Sequence, residues 1–258
     1  MTITCKNCNQ TFKGHFCGNC GQSADTHEIN LQYFWHEIQH LLLHIDKGFF
    51  YTIKQLFVRP GNTIKEYING KRVKHFKPIA FAFILSTIYV LASHYSNVTT
   101  LFDEISGGTN GSDIGNNTHK INLINLSFSW LIIHYDYGAL LLIPIFSLAS
   151  YLAFYKSGYN YFKHLILNTF ITGQQTIVYI IFIPIIALLK DKDTIDNFQD
   201  AKVVSGMILT VWTFIQFFNN NSKLKSFLLT LLTYFILVIL FLLIVIIIGI
   251  ISRVVTHE

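Results

Sequence analysis

The sequence predicts an all-α polytopic membrane protein of about five transmembrane helices, with a small N-terminal ribbon and amphipathic helices lying at the cytoplasmic interface. Three observations predict it. The run from Phe227 to Ile251 is 25 residues without a charge, enough to cross a hydrocarbon core of ~30 Å at about 1.5 Å per residue. Charged residues make up 13% of the chain against 52% hydrophobic, with 23 Phe, where soluble domains carry roughly 25% charged residues. The only four cysteines stand as two C-x-x-C pairs at one end, Cys5/Cys8 and Cys17/Cys20.

Apolar periodicity and length divide the chain into three parts: residues 1–22 as the ribbon, 23–77 as a linker with interfacial helices and a basic collar, and 78–258 as the transmembrane domain. Spans fall at about 78–95, 137–155, 165–189, 201–218 and 227–251. The formal charge of +5 points to the membrane rather than to nucleic acid, because the cations are sorted by side. Fourteen of the 19 Lys and Arg lie before the first span or in loops on that same face, from Lys6 to Lys77 and at Lys156, Lys163, Lys223 and Lys225. Five, namely Lys120, Lys190, Lys192, Lys202 and Arg253, fall on the other. The positive-inside rule then puts the N-terminus in the cytoplasm and the C-terminus outside. Met1 to Gln22 has no apolar core of the secretory kind, so no signal peptide is expected there.

Each C-x-x-C pair makes a tight knuckle that offers two thiolates, and four thiolates close a tetrahedral shell around zinc. Two disulfides are the alternative; a reducing cytoplasmic face favours metal. A closed Cys5, Cys8, Cys17, Cys20 shell leaves no position open for water or substrate, so the zinc is expected to be structural. Gly18 and Gly21 suit the second knuckle, and Phe12 and Phe16 are placed to cover it.

Asn30 can cap a helix whose apolar positions (Leu31, Phe34, Trp35, Ile38, Leu41, Leu42, Ile45) recur every three or four residues. A second amphipathic stretch runs from Phe49 to Val58 and stops at Arg59-Pro60-Gly61. Thr63-x-x-Glu66 reads as a capping box opening a third, which ends at Gly70. The collar that follows offers Lys71, Arg72, Lys74 and Lys77 to anionic head groups, at about 1 kcal/mol per cation near the surface; a pure topology anchor would look the same.

The paired knuckles, Asp46-Lys47-Gly48-Phe49, Pro60-Gly61 with Ile64 and Tyr67, Gly70-Lys71-Arg72-Val73, and Pro78 opening a span resemble a family of bacterial membrane proteins catalogued as a domain of unknown function. There a zinc ribbon precedes a P-G-x-x-I-x-x-Y-x-x-G-K-R segment and several spans. Tyr161-Phe-Lys-His164-Leu is similar to a further motif of that family, although Lys163 stands where members often carry an acid. The resemblance covers roughly residues 5–80 and implies membership and an inner-membrane location without an activity.

Within the spans the polar candidates are neutral. Asn168, Thr172 and Gln175 share one helix face and can line a groove or bond across to Gln216, as a path or as glue between helices. No ionisable residue is expected at membrane depth, which argues against a pump. Pro144 and Pro184 fall inside spans, where proline is tolerated. His36, His40 and His44 recur at i, i+4, i+8 with Asp46 beyond, either a second metal site or a wetted face. The Gly- and Asn-rich loop from Ser96 to Asp136 carries sequons at Asn97, Asn110, Asn116 and Asn125, and its 121–134 stretch is apolar enough to lengthen the second span. No Gly-rich phosphate loop, nucleophile elbow or paired carboxylates occur. The leading expectation is therefore a non-enzymatic recruitment or regulatory module that meets a cytoplasmic protein through its ribbon. A transporter or channel for a neutral or amphipathic solute is the alternative, and a lipid-modifying enzyme using His164 or His40, His44 and Asp46 is third.

Overall fold

The computed structural model describes residues 2–26, 29–33, 48–96 and 135–256. It opens with a hairpin of two short antiparallel strands, β1 (Ile3–Thr4) and β2 (Thr11–Phe12), in register Ile3 to Phe12. Helices then dominate: α1 (Gly48–Val58), α2 (Pro60–Ile68), α3 (Pro78–Tyr95), α4 (Tyr135–Ala153), α5 (Tyr161–Leu188), α6 (Lys192–Phe217) and α7 (Lys223–Thr256). Residues 34–47, with His36, His40, His44 and Asp46, and residues 97–134, with the sequons and the apolar 121–134 stretch, lie outside the described residues. The N-cap of the first interfacial helix lies inside them: Asn30 Oδ1 accepts the amide of Tyr33 at 2.9 Å.

Among the described residues, three helices are long and apolar enough to cross a membrane: α3, α5 and the Lys223–Ile247 part of α7. The last buries only 11% of its apolar window inside the protein, leaving a belt of Leu, Ile and Phe that water would not tolerate. The shorter apolar stretch Leu142–Ala153 of α4 and the more polar α6 pack into the same bundle, in which α5 is central, touching α3, α4 and α6. The helix α6 begins nine residues before the apolar segment that hydropathy finds, because Asp191 caps it, its carboxylate accepting from the Thr194 amide at 3.0 Å and from the Thr194 hydroxyl.

The segment before α3 packs into this bundle. Gly48, Thr52 and Leu56 form the buried stripe of α1, and Pro60, Gly61, Ile64, Tyr67 and Ile68 that of α2. Leu56, Ile64 and Tyr67 join Phe81, Phe170, Phe214 and Phe217 in the main core, so the inward faces of these amphipathic helices meet protein, while Phe50 and Val58 stay exposed. One expectation needs correcting. The helix starts at Pro60, not at Thr63, and Thr63 is a buried interior residue whose hydroxyl donates back to the Arg59 carbonyl at 2.9 Å. Proline supplies the preset φ of a first helical turn, and Glu66 is drawn away to Arg59 instead of turning back to cap. Gly70 ends α2 as expected: at φ +96 it allows the Gly70 amide to reach Tyr67 O at 3.1 Å and the Lys71 amide to reach Glu66 O at 2.9 Å, the Schellman pair of bonds.

The contact between α2 and α6 has no room for a side chain. A Cβ on Gly61 would lie 2.3 Å from the Phe217 amide nitrogen and 2.5 Å from the Gln216 carbonyl carbon, and backbone cannot swing aside. Gly61→Ala is expected to lower stability by at least about 2 kcal/mol, read as a drop in thermal midpoint by tryptophan fluorescence in detergent. Gly18→Ala, at a site with nothing within 4 Å, is the control that should leave the midpoint in place.

Candidate metal centre and the polar contacts of the bundle

The hairpin brings the four cysteines together by repeating one local structure. Cys5-Lys-Asn-Cys-Asn-Gln10 and Cys17-Gly-Asn-Cys-Gly-Gln22 fold alike. The amide of Cys5 reaches Gln10 O at 2.9 Å and that of Cys17 reaches Gln22 O at 2.8 Å, while Asn9 and Gly21 close the turns onto the carbonyls of Cys5 and Cys17. Asn9 (φ +60) and Gly21 (φ +73) hold the same left-handed corner, which Asn is among the few side-chain-bearing residues to accept.

All four cysteines are free thiols, with their sulfurs within 4.8 Å of one another. Cys5 Sγ lies 3.5 Å from Cys20 Sγ, and Cys8 Sγ lies 3.6 Å from Cys17 Sγ. Metal–sulfur bonds of about 2.3 Å at tetrahedral angles separate neighbouring sulfurs by about 3.8 Å, so the set fits one ion. The close pairs join one knuckle to the other, and the distances are too long for S–S bonds. Burial pushes the Cys5 thiol up to about 11. The Gln10 amide and then the Asn19 side chain hold Cys8 down at about 6, and the Asn7 side chain, followed by the Gln22 amide, lowers Cys20. Asn7 and Asn19 occupy the same place in the two repeats and each serves the other knuckle's cysteine. The repeated C-x-N-C-x-Q spelling was the available signal for both. Phe12 is half-buried in the hairpin, but Phe16 is 66% exposed and does not cover the site as expected; its backbone bridges to Ser23 and turns the ring outward.

The cysteine head is seated on the bundle. The Arg72 amide donates to Gln22 Oε1 at 3.3 Å, and Asn160 Nδ2 donates to the carbonyl of the buried Ile29 at 3.3 Å. The collar residues divide. Lys71, Lys74 and Lys77 point outward, whereas Arg72 is half-buried, its guanidinium 4.6 Å over the Tyr33 ring and its Nε donating to Tyr67 O at 3.3 Å. Beneath them Glu66 takes both Arg59 nitrogens, at 2.9 and 3.3 Å, and lies 3.5 Å from His75 Nε2. Burial lowers the pKa of His75 more than Glu66 raises it, so this imidazole is neutral at pH 7.

The polar residues of the spans face different neighbours. Asn168 Nδ2 donates to Ser150 Oγ at 2.8 Å and Ser147 Oγ at 3.3 Å on α4, and Ser150 Oγ lies 3.0 Å from His164 Nδ1. His164 is fully buried and stacks on Phe218. Gln175 Nε2 turns to α6, 3.0 Å from Gly206 O and 2.9 Å from Thr210 Oγ1. The expected bond to Gln216 does not form among the described residues: Gln216 sits at the end of α6 against Gly61. Thr172 makes no side-chain hydrogen bond there either. Two residues outside the predicted set matter more. Lys202 is 4% exposed, bonded to Gln199 and 5.7 Å over the Tyr179 ring, which corrects the expectation of an interior without charges. It lies on the buried stripe 199, 202, 206, 210, 213, 217 of α6, a period of three and four that was legible. Gln174, also fully buried, donates from Nε2 to Leu56 O at 2.8 Å and accepts from Thr213 at 3.2 Å. The helical partner of the Leu56 carbonyl would be the amide of residue 60, which is proline and has none.

Four cysteines that could hold one ion, together with three helices among the described residues long and apolar enough to cross a bilayer, define a mostly helical protein of membrane-spanning character with a four-cysteine head. Residues 46–90 match the family model described as "Protein of unknown function (DUF3667)", a stretch that begins just before α1 and ends within α3. No curated protein and no solved structure matches the chain.

Replacing Gln174 leaves a buried carbonyl without a donor, and the stranded group costs about 1–3 kcal/mol. Gln174→Leu is expected to lower unfolding free energy in detergent by that amount, whereas Thr172→Val should change it by less than about 0.5 kcal/mol.

Proposed function

We propose that the chain is a multi-pass protein of the bacterial inner membrane. It crosses five times through α3 to α7, with its head in the cytoplasm, and acts as a non-enzymatic recruitment or regulatory module. One observation carries the reading: the cysteine head meets the collar through Gln22 and Arg72, and Ile29 just after it meets the start of α5 through Asn160, so an event at the head is felt by the helices. The ion is zinc, held by four sulfurs as a structural closure with no open position for catalysis. Lys71, Lys74 and Lys77 rest among anionic head groups, with Arg72 behind them. The exposed Phe16 is the contact offered to a cytoplasmic protein, as an apolar anchor in a polar surround.

Purified protein is expected to carry one zinc per chain, lost in Cys17→Ser/Cys20→Ser. In cells, crosslinked pull-downs with Phe16→Glu, which keeps its zinc, should lose a partner that the unaltered chain captures. An unchanged partner set in both variants overturns recruitment through the head. Substituting single residues is preferable to removing 1–22, which would strip the cover from Arg72 and Gly70.

A carrier for a neutral or amphipathic solute is favoured by the buried Lys202 alone, since charge inside a bundle is costly and usually serves a transported group. Solute flux into proteoliposomes that disappears in Lys202→Met at unchanged zinc content would move the assignment there; no flux in the unaltered protein removes it.

A further inference from the structure

A pocket of about 170 Å³ opens where the head, the end of α2 and the start of α5 meet. Its charged lining is Lys6 from the first cysteine knuckle, Arg72 from the collar and Lys163 from the first turn of α5, with the amides of Asn69 and Asn160 between them and no carboxylate in the wall. Three cations converge there from segments far apart in sequence. Lys6 Nζ donates only to the Thr26 carbonyl at 3.4 Å, and Lys163 Nζ lies 5.8 Å over the Tyr159 ring. Neither ammonium is paired with a carboxylate among the described residues. Arg72 is held at the wall by the Tyr67 carbonyl and the Tyr33 ring. Lys6 folds across the end of α2 close to Gly70, where an added Cβ would lie 2.8 Å from its Cδ, and the left-handed backbone there, φ +96, suits glycine. Lys6 and Lys163, brought to one cavity, repel each other, and an anion entering between them relieves that repulsion. The 28-residue α5 also presents its positive end at Asn160.

We propose that this pocket binds a phosphate group, either on the head group of an anionic phospholipid or on a soluble phosphate ester, and that the bound phosphate latches the cysteine head onto the bundle. Two ammonium groups with side-chain amide donors, beside the positive charge of Arg72 at the wall, suit the several oxygens of a phosphate better than the two of a carboxylate. A cavity of about 170 Å³ is more than ten times what a single water needs, which leaves room for a phosphate and the carbons esterified to it. The binding site stands on this geometry. Its regulatory consequence rests on the head being a recruitment module, and partner capture tests that separately.

The test uses zinc-loaded, full-length protein. Thermal shift is measured with inorganic phosphate and with glycerol 3-phosphate, and native mass spectrometry counts lipids retained from nanodiscs of phosphatidylglycerol or of phosphatidylcholine. A soluble ligand is expected to raise the midpoint with saturation; a lipid ligand is expected to leave one retained phosphatidylglycerol and no phosphatidylcholine. Lys6→Gln/Lys163→Gln should weaken the effective probe at least tenfold, and Lys6→Gln alone, at an exposed side chain, should weaken it measurably with zinc content unchanged. Lys190→Gln/Lys192→Gln, which removes two exposed cations just past the far end of α5, should leave it unchanged. No saturable binding of any probe, or equal loss in the two double variants, overturns the proposal.

Discussion

The half of the fold that carries the cysteine head depends on what happens to the backbone at Pro60 and Gly61. Proline removes the amide that would have satisfied the Leu56 carbonyl, and a buried carbonyl without a donor is costly. Gln174, more than a hundred residues away, supplies the donor at 2.8 Å. Glycine then removes the one atom that would keep α2 off the backbone of α6 at Phe217. Two adjacent residues therefore tie the helical hairpin α1–α2 to α5 by a hydrogen bond and to α6 by contact. The aromatic core of Tyr67, Phe81, Phe170 and Phe217 closes around that junction.

Once the hairpin is fixed, the head has somewhere to sit. The Schellman turn at Gly70 sends the chain back under the cysteine knuckles, where the Arg72 amide meets Gln22. The same turn faces Asn160, which caps α5 through Oδ1 and holds the Ile29 carbonyl through Nδ2. A module of some two dozen residues has too little apolar surface for a core of its own. Here the four-cysteine cluster and its repeated turns organise its interior and the bundle supplies its floor.

Much of this was legible in the sequence, and the misses have physical reasons. Hydropathy located α3 with the same limits the structure gives it, because Pro78 opens it and apolar composition fills it. For α6 it found only the apolar portion, since a capped polar turn continues a helix without being greasy. Cysteine spacing disclosed the four-sulfur cluster; the cross-bracing by Asn7 and Asn19 needed the fold, because each acts on the other knuckle. Thr63 and Glu66 spelled a capping box, but the proline three residues earlier already offered a helix start and Arg59 took the carboxylate. Lys202 was counted as a marker of the outer side, which treats every lysine as hydrated. Its place among Gln199, Gly206 and Thr210 on one stripe put it inside. The polar residues of α5 were read as one face, whereas Asn168 and Gln175 lean toward different neighbours, a distinction that requires knowing which helices flank α5.

Lys6 occupies the position between two metal-binding cysteines while its side chain forms a wall of the basic pocket at Gly70. Were the sulfurs to hold an ion and the pocket an anion, a residue shared in this way would link the two occupancies, each changing the affinity for the other by the same factor. Starving the cell of the ion would loosen the grip on the anion, and removing the anion would make the ion easier to chelate. The junction would then behave as a coincidence detector, fully closed only when both are present.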